Sequence, residues 1–137
     1  MKPIFDKTTD ALAASLNFRN LRHNVTAANL ANAETPGYKA KVMDFEDALA
    51  RAIDMEGMNT ANNLEGDHLA MGSGAISKAK ADIYDNPEGN VTNDGNTVDL
   101  EKEMATMNEN SILYKAALQL INKKLGSLRY AASDGGR

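Results

Sequence analysis

The chain has 137 residues and a formal net charge of -4, contains no cysteine and no tryptophan, and carries few aromatic residues. This length fits one domain, and the lack of cysteine excludes disulfides, thiolate metal sites and cysteine nucleophiles. The acidic balance argues against nucleic acid binding, which usually needs a basic stripe, and against tight docking on an anionic membrane surface.

Apolar residues concentrate at the two ends of the chain, in residues 4–53 and 98–132, whereas the stretch between is rich in Gly, Asn and Asp. The middle therefore has little with which to build a core of its own. No apolar run approaches the roughly 20 residues that span a bilayer. The N-terminus reaches Asp6 and Asp10 before an apolar segment forms, so it does not resemble a secretory signal peptide. A route out of the cytoplasm would have to work without one.

Residues 6–33 are predicted to form the first helix, with two apolar stripes whose members recur every three or four residues. A helix that packs on one core needs only one stripe. Two stripes favour partners on two sides over a helix at the centre of its own small bundle, because the chain has few other helices to surround it. The first stripe contains Ala11, Ala14, Phe18, Leu21, Val25 and Ala28, and the second contains Phe5, Leu12, Leu16, Ala27 and Leu30.

The sequence Thr-Pro-Gly-Tyr at residues 35–38 predicts the end of this helix and a change of chain direction. Pro36 disfavours helical geometry at the residue before it and has no backbone N–H, and Pro-Gly at the two central positions is typical of a type II turn. Asn29 and Asn32 lie in the last turns, where their amides could bond carbonyls that have no helical partner. Tyr38 is the first side chain able to anchor the outgoing chain.

The middle of the chain is predicted to be irregular and rich in turns. Residues 44–54 indicate a short helix with Asp44 as its N-cap, docked on a larger element through Phe45 and Leu49. Residues 81–84 are typical of a short strand, which could belong to a small hairpin within residues 76–93.

Residues 98–133 are predicted to form the longest helix, after a turn at residues 94–96 and with Asn96 or Thr97 as its cap. Its apolar residues alternate spacings of four and three over more than four heptads, as in a coiled coil, and Ser111 is the one polar member. At about 1.5 Å per residue the helix would be roughly 50 Å long, so it needs partners beyond the first helix. The stripe contains Leu100, Met104, Met107, Ser111, Tyr114, Leu118, Ile121, Leu125, Leu128 and Ala132.

These elements predict a mostly α fold, in which the N- and C-terminal helices pair as an antiparallel, coiled-coil-like core around an irregular middle that could hold a small β-hairpin. The expected organisation is an axial helix at 1–35, a middle segment at 36–97 and an axial helix at 98–137, with the two helices in one core domain. The predicted assembly interface contains Phe18, Leu21, Val25, Leu100, Met104, Met107, Tyr114, Leu118, Ile121, Leu125 and Leu128.

Charges on the last helix are segregated between its ends. The acidic start contains Asp99, Glu101 and Glu103, and the basic end contains Lys123, Lys124 and Arg129. Each sign lies where the helix dipole favours it, by about 0.3–1 kcal/mol per charge, and this alone is the simpler explanation. A sharper hypothesis is that the basic end of one subunit meets the acidic start of the next in a stack.

No residue pattern indicates catalysis, a cofactor or a metal site. His23 lies in a helix and His68 in a loop, each without a second histidine at ligand spacing. Residues 90–101 superficially match a calcium loop, but Asn90 and Thr92 depart from its usual ligands, so a turn followed by a helix cap is preferred. Nucleotide-binding and nucleophile-elbow motifs are missing. We therefore expect neither enzyme activity nor a cofactor.

Two segments resemble a known family. Residues 28–38, Ala-Asn-Leu-Ala-Asn-Ala-Glu-Thr-Pro-Gly-Tyr, resemble the signature at the end of the first helix in bacterial flagellar axial proteins, the family of rod, hook and hook-associated subunits. Residues 94–104, followed by residues 108–110 and Tyr114, look like the rod proteins of that family, and most like its short proximal rod members. The motif residues of the turn are Asn29, Asn32, Thr35, Pro36, Gly37 and Tyr38.

The resemblance implies a structural subunit of the periplasmic rod in the flagellar basal body, exported unfolded through the flagellar type III apparatus without a cleaved signal peptide. Its terminal helices would polymerise into the drive shaft that transmits torque and continues the export channel. The implied partners are the chain itself, other rod proteins, the rod adaptor FliE, the MS ring and the export gate. The residues alone leave open a soluble helical adaptor or export chaperone that binds a partner helix, and a small calcium-binding module.

Overall fold

The computed structural model describes residues 7–62, 75–87 and 89–134, so Phe5 and His68 lie outside the described residues. The fold is mostly α-helical, with long helices at both ends and a small antiparallel sheet between them, as the sequence predicted. No described helix is both long and apolar enough to cross a membrane. The elements are α1 (Lys7–Ala31), β1 (Lys41–Asp44), α2 (Glu46–Asn62), α3 (Ala75–Lys78), β2 (Asp82–Asp85) and α4 (Leu100–Asp134).

Helices α1 and α4 pack along each other in opposite directions. Near the middle of α1, Nδ2 of Asn110 donates to the carbonyl oxygen of Arg19 at 2.7 Å. Just after the end of α1 and just before the start of α4, Nδ2 of Asn96 lies 2.9 Å from the carbonyl oxygen of Asn32. Moving forward along α4 therefore means moving backward along α1, which confirms the predicted antiparallel pair.

The face of α4 that meets α1 is rotated away from the predicted heptad stripe. The buried residues of α4 in the described part of the chain are Asn110 and Ala117, which are 3% and 8% exposed and do not belong to that stripe. Five stripe members stay exposed in the subunit, namely Leu100 (51%), Met104 (52%), Leu118 (39%), Leu125 (40%) and Ala132, whereas Met107, Ser111, Tyr114, Ile121 and Leu128 are half-buried. Helix α1 thus covers one side of the stripe and leaves the other side open.

The middle of the chain covers the first apolar stripe of α1, which the sequence did not predict. The rings of Phe18 and Phe45 stack with their centroids 5.1 Å apart, and α1 contacts β1, α2 and α3 as well as α4. Val25 is half-buried, whereas Leu21 is 40% exposed. The second partner of α1 is therefore found within the chain, and α1 is the central helix of its own small bundle, which is the alternative that the sequence disfavoured.

Phe45 is the centre of the contact between α1 and the start of α2, and only 2% of it is exposed. The guanidinium carbons of Arg22 and Arg19 lie 4.5 Å and 5.5 Å from its ring centroid, where the negative face of the ring attracts them. Arg22 also donates to both carboxylate oxygens of Glu46, at 2.5 Å and 2.7 Å, and to the carbonyl oxygen of Met43 at 2.8 Å. The predicted docking role of Phe45 is confirmed.

Two local predictions for the middle are corrected. Asp44 is not a helix cap, because it ends β1 and accepts a hydrogen bond from the Tyr84 hydroxyl, and α2 runs from Glu46 to Asn62, well beyond residue 54. The strand near residues 81–84 is present as β2, but it pairs with β1 rather than with a neighbour inside residues 76–93. Its partner is distant in sequence, so local turn signals could not reveal it.

Replacing Glu46 by glutamine should lower the free energy of unfolding by less than about 1 kcal/mol, because the carboxylate is half exposed and water screens the pair. Burial raises the pKa of Glu46, but hydrogen bonds from Arg22 and from the backbone outweigh it and hold the pKa below its ordinary value. A carboxyl group with a lowered folded pKa stabilises the fold above its unfolded pKa and loses that effect as the pH falls through the folded value.

Urea unfolding of the native chain and of Glu46→Gln should therefore differ at neutral pH and converge once the pH has fallen through the lowered pKa of Glu46. Asp47→Asn, at an exposed neighbouring carboxylate in the same helix, is the matched control. A difference for Glu46→Gln that persisted in acid would contradict this account of the Arg22–Glu46 pair.

Candidate assembly site at the junction of the terminal helices

The two sequence segments that carry the motifs lie against each other. The N–H of Gly37 donates to the carbonyl oxygen of Asp94 at 2.9 Å, and the N–H of Thr97 donates to that of Tyr38 at 3.0 Å. The N–H of Ala40 donates to Oγ1 of Thr97 at 2.8 Å. We call this region, residues 29–41 with residues 94–99, the helix junction. It ties the end of α1 to the start of α4.

The turn after α1 has the predicted type II form. The carbonyl oxygen of Thr35 accepts the N–H of Tyr38 at 3.2 Å, and Gly37 has a φ of 72°, which suits glycine at the third position of a type II turn. Gly95, with a φ of 82°, packs against this turn, and a Cβ added there would lie 3.5 Å from Cα of Gly37. Two left-handed glycines therefore let the two motifs approach closely.

Asn96 caps the end of α1, not the start of α4 as the sequence suggested. It is 2% exposed, and its Nδ2 lies 2.9, 2.9 and 2.8 Å from the carbonyl oxygens of Asn32, Ala33 and Thr35. Its Oδ1 accepts the N–H of Val98 at 2.7 Å, which fixes the orientation of the amide. The carbonyl oxygens of Asn32 and Thr35 also accept the backbone N–H groups of Thr35 and Tyr38, so a side chain more than 60 residues away adds further bonds to the turn at the end of α1.

Asp99 is the N-cap of α4, which corrects the prediction of Asn96 or Thr97. Its Oδ1 accepts the N–H of Lys102 at 3.1 Å, the bond expected of a capping carboxylate. The loop before it is closed by internal bonds, since the Thr92 hydroxyl donates to Asp94 and the N–H of Thr92 donates to the carbonyl oxygen of Asn96 at 2.9 Å. The segment that resembled a calcium loop is thus a turn followed by a cap.

Asn29, fully buried, holds the chain that leaves the turn. Its Oδ1 accepts the N–H of Lys41 at 2.9 Å and the Tyr38 hydroxyl at 3.2 Å, and its Nδ2 donates to the carbonyl oxygen of Lys41 at 2.7 Å. Of the two amides expected to bond carbonyls in the last turns of α1, that of Asn32 does so, because its Nδ2 donates to the carbonyl oxygen of Ala28 at 2.8 Å. Tyr38 anchors the outgoing chain as predicted.

The double change Pro36→Ala with Gly37→Ala should let α1 run on and misdirect residues 38–53. Alanine at the φ of 72° found at Gly37 is strained by about 1–2 kcal/mol, and the helical alternative would break the bond from Gly37 to Asp94. We expect a clear loss of swimming, measured in soft agar. Glu34→Ala is the control, because it shortens an exposed side chain next to the turn and leaves Pro36 and Gly37 in place. Unchanged motility in the double variant would show that the turn is not needed.

A groove of about 550 Å³ lies between α1, α4 and the sheet, and its lining includes Arg22, Lys41, Glu46, Lys102 and Glu103. Arg22 is bound to Glu46 and Lys41 to Asp85. Within the described ranges, no group of three or more His, Asp or Glu side chains is placed to hold a metal ion.

Comparison with known proteins gives consistent similarities. The family described as "Flagella basal body rod protein" matches residues 13–39, which include the turn. Flagellar basal body rod protein FlgB of Aeromonas hydrophila is 36% identical over 124 residues, covering 90% of this chain and 91% of the relative. The proteins of the same description from Cereibacter sphaeroides and Salmonella typhimurium are 37% and 32% identical, and cover 87% and 88% of this chain and 88% and 89% of their own lengths.

Proposed function

The chain belongs to the FlgB family of flagellar basal body rod proteins, and from this premise we propose that its terminal helices polymerise into the proximal rod as part of the drive shaft. As a member of a family of structural rod proteins it is a structural protein of the basal body rod, not an enzyme, and it assembles with other rod components.

The observation that carries the proposal is the open side of α4. Leu100, Met104, Leu118 and Leu125 lie on one flank of the helix and are 39% to 52% exposed. A large apolar side chain gains about 1.5–3 kcal/mol on going from full exposure to full burial, and each of these four, already partly buried, would gain roughly half of that when a neighbour covers it. Rows of exposed apolar residues mark interaction surfaces. We assign this row to contacts with neighbouring rod subunits.

The helix junction suits a shaft that bears torque. Its hydrogen bonds hold the end of α1 against the start of α4 at several points, and this restricts rotation of one helix relative to the other. Torque would pass through this braced pair, and a tube of such pairs would continue the export channel. We further propose, from the position of the proximal rod, that the partners include FliE, the MS ring and the export gate. Export would proceed in the unfolded state without a cleaved signal peptide.

The test is to express the chain, epitope-tagged in a surface loop, in a flagellated strain that lacks its own FlgB. We expect the protein to copurify with basal bodies and restore rods in electron micrographs. In solution it should form filaments or stay partly unfolded as its concentration rises. An adaptor or chaperone would instead be a stable helical monomer or dimer that is absent from purified basal bodies, and that result would overturn the proposal.

A further inference from the structure

We infer that the last turns of α4 dock on the acidic start of the last helix of an adjacent rod subunit, an inference that rests on the proposed function. Two surfaces are involved. The basic tip consists of Lys123, Leu125, Arg129 and Tyr130, and the acidic start consists of Asp99, Leu100, Glu101 and Met104. In this chain the two surfaces lie at opposite ends of one helix, so contact between them must join two subunits.

The basic tip extends past the described part of α1. Asn110 lies level with Arg19, since its amide bonds that carbonyl. Both helices rise about 1.5 Å per residue in opposite directions, so Lys7 at the described start of α1 lies level with about residue 122. The last dozen residues of α4, about 18 Å of helix, therefore lie beyond that level, and α4 continues to Asp134.

The tip combines positive charge with exposed apolar surface. Tyr130 is 69% exposed and Leu125 is 40% exposed, and Lys123 and Arg129 are exposed beside them. Lys124 is half-buried and has an interaction within its own chain. The structure thus narrows the basic end suggested by the sequence to Lys123 and Arg129.

The acidic start has the complementary character. Leu100 and Met104 are 51% and 52% exposed, and Asp99 and Glu101 are exposed around them. Glu103 is half-buried beside Asn29, so it faces the subunit's own core. Favourable placement along the helix dipole accounts for the charges at both ends. It does not account for large apolar side chains left in water beside them, whereas a contact between the two surfaces accounts for both.

A contact of this kind is head-to-tail. Because the two surfaces differ, each subunit can offer its acidic start to one neighbour and its basic tip to another, which gives an open, extending assembly and not a closed dimer. Exposed ion pairs add little affinity, so the apolar side chains supply the attraction. The charges set the polarity of the contact by penalising tip-to-tip and start-to-start encounters.

The contact can be tested by photo-crosslinking in assembled basal bodies. A benzophenone amino acid replaces Tyr130 in the full chain, and Ile112 receives the same group as the matched control. Ile112 is 67% exposed against 69% for Tyr130, and it precedes Tyr130 by about five helical turns, so the two point in the same direction. The two probe positions therefore differ in their height along α4 and in little else.

Mass spectrometry of the crosslinked peptides should place the Tyr130 probe on the acidic start of a last helix, in another copy of this chain or in a related rod subunit. The Ile112 probe should not reach that segment. Capture of a different segment by the Tyr130 probe, with the variant present in basal bodies, would overturn the inference and leave the proposed function standing. Absence of both variants and of the native chain from basal bodies would instead refute the proposed function.

Charge reversal provides a second measurement. Lys123→Glu with Arg129→Glu should reduce the number of rods per cell at least tenfold, while the helix content of the isolated chain, measured by circular dichroism, changes much less. Lys78→Glu with Lys115→Glu changes the net charge equally at exposed lysines away from the tip, and should leave rod number near normal. Equal loss of rods in the two double variants would show that net charge, and not the tip, is responsible.

Discussion

Leu118→Asp is expected to abolish rod assembly and motility while leaving the subunit's own fold almost unchanged. Leu118 is 39% exposed on the open side of α4, so a carboxylate there remains hydrated in the free subunit. In the proposed rod the same position is covered by a neighbour, and burying an unpaired charge costs several kcal/mol. The penalty therefore falls on association and not on folding.

Ile121→Asp separates the cost to folding from the cost to association. Ile121 is half-buried between α4 and the rest of the subunit, so aspartate at this position should weaken the helix pair itself as well as the rod. We expect a lower helix content for Ile121→Asp than for Leu118→Asp, with loss of motility in both. Gln119→Asp, which adds the same charge at an exposed polar neighbour, is the control. Normal rods in Leu118→Asp would refute the assignment of this face to assembly.

The helices and the turn could be predicted from the sequence because their signals are local. The four-three spacing gave α4 almost to the residue, and Pro36 with Gly37 gave both the end of α1 and the type of the turn. The same spacing could not say which side of the stripe would face α1. Asn110, a polar residue, is buried at that contact because its amide finds the Arg19 carbonyl, and a hydrophobic pattern cannot register such a bond.

The errors share one physical cause, which is long separation along the chain. The sequence predicted that Phe45 docks its segment on a larger element but not which one, and its buried ring lies against Phe18, Arg19 and Arg22 of α1. Asn96 fits a local cap by its spacing from α4, but its donor group meets carbonyls near residue 33. Each side chain could make a local contact or a distant one, and only the packing of α1 on α4 decides between them.

Asn96 is also the residue whose replacement should most damage the helix junction. Asn96→Ala removes the partner of the Ala33 carbonyl oxygen and of the N–H of Val98 in a site that is 2% exposed. The carbonyl oxygens of Asn32 and Thr35 lose one bond but keep the backbone N–H groups of Thr35 and Tyr38. A buried polar group without a partner costs about 1–3 kcal/mol, so the loss should be at least about 2 kcal/mol even if water replaces some of the bonds.

Asn96→Asp tests whether the site needs the hydrogen-bond donor of Asn96 or only the volume of its side chain. Aspartate has the same shape, but it would place an oxygen where Nδ2 now meets the three carbonyl oxygens, so repulsion replaces attraction. We expect the free energy of unfolding to fall in the order native, Asn96→Ala, Asn96→Asp, with Asn108→Asp, at an exposed position in α4, close to native. A native-like value for Asn96→Asp would show that the site needs only volume.

The junction should then open before the helix pair does. In both Asn96 variants, hydrogen exchange should speed up at the amides of Gly37 and Thr97, whose bonds cross between the two motifs, while amides in the middle of α1 and α4 stay protected. A shaft built from such subunits would keep its helices but lose the hydrogen bonds of the helix junction that join them. We therefore expect rods that assemble poorly or break under load. Exchange that rose equally along both helices would show that Asn96 stabilises the whole subunit and has no particular role in joining the end of α1 to the start of α4.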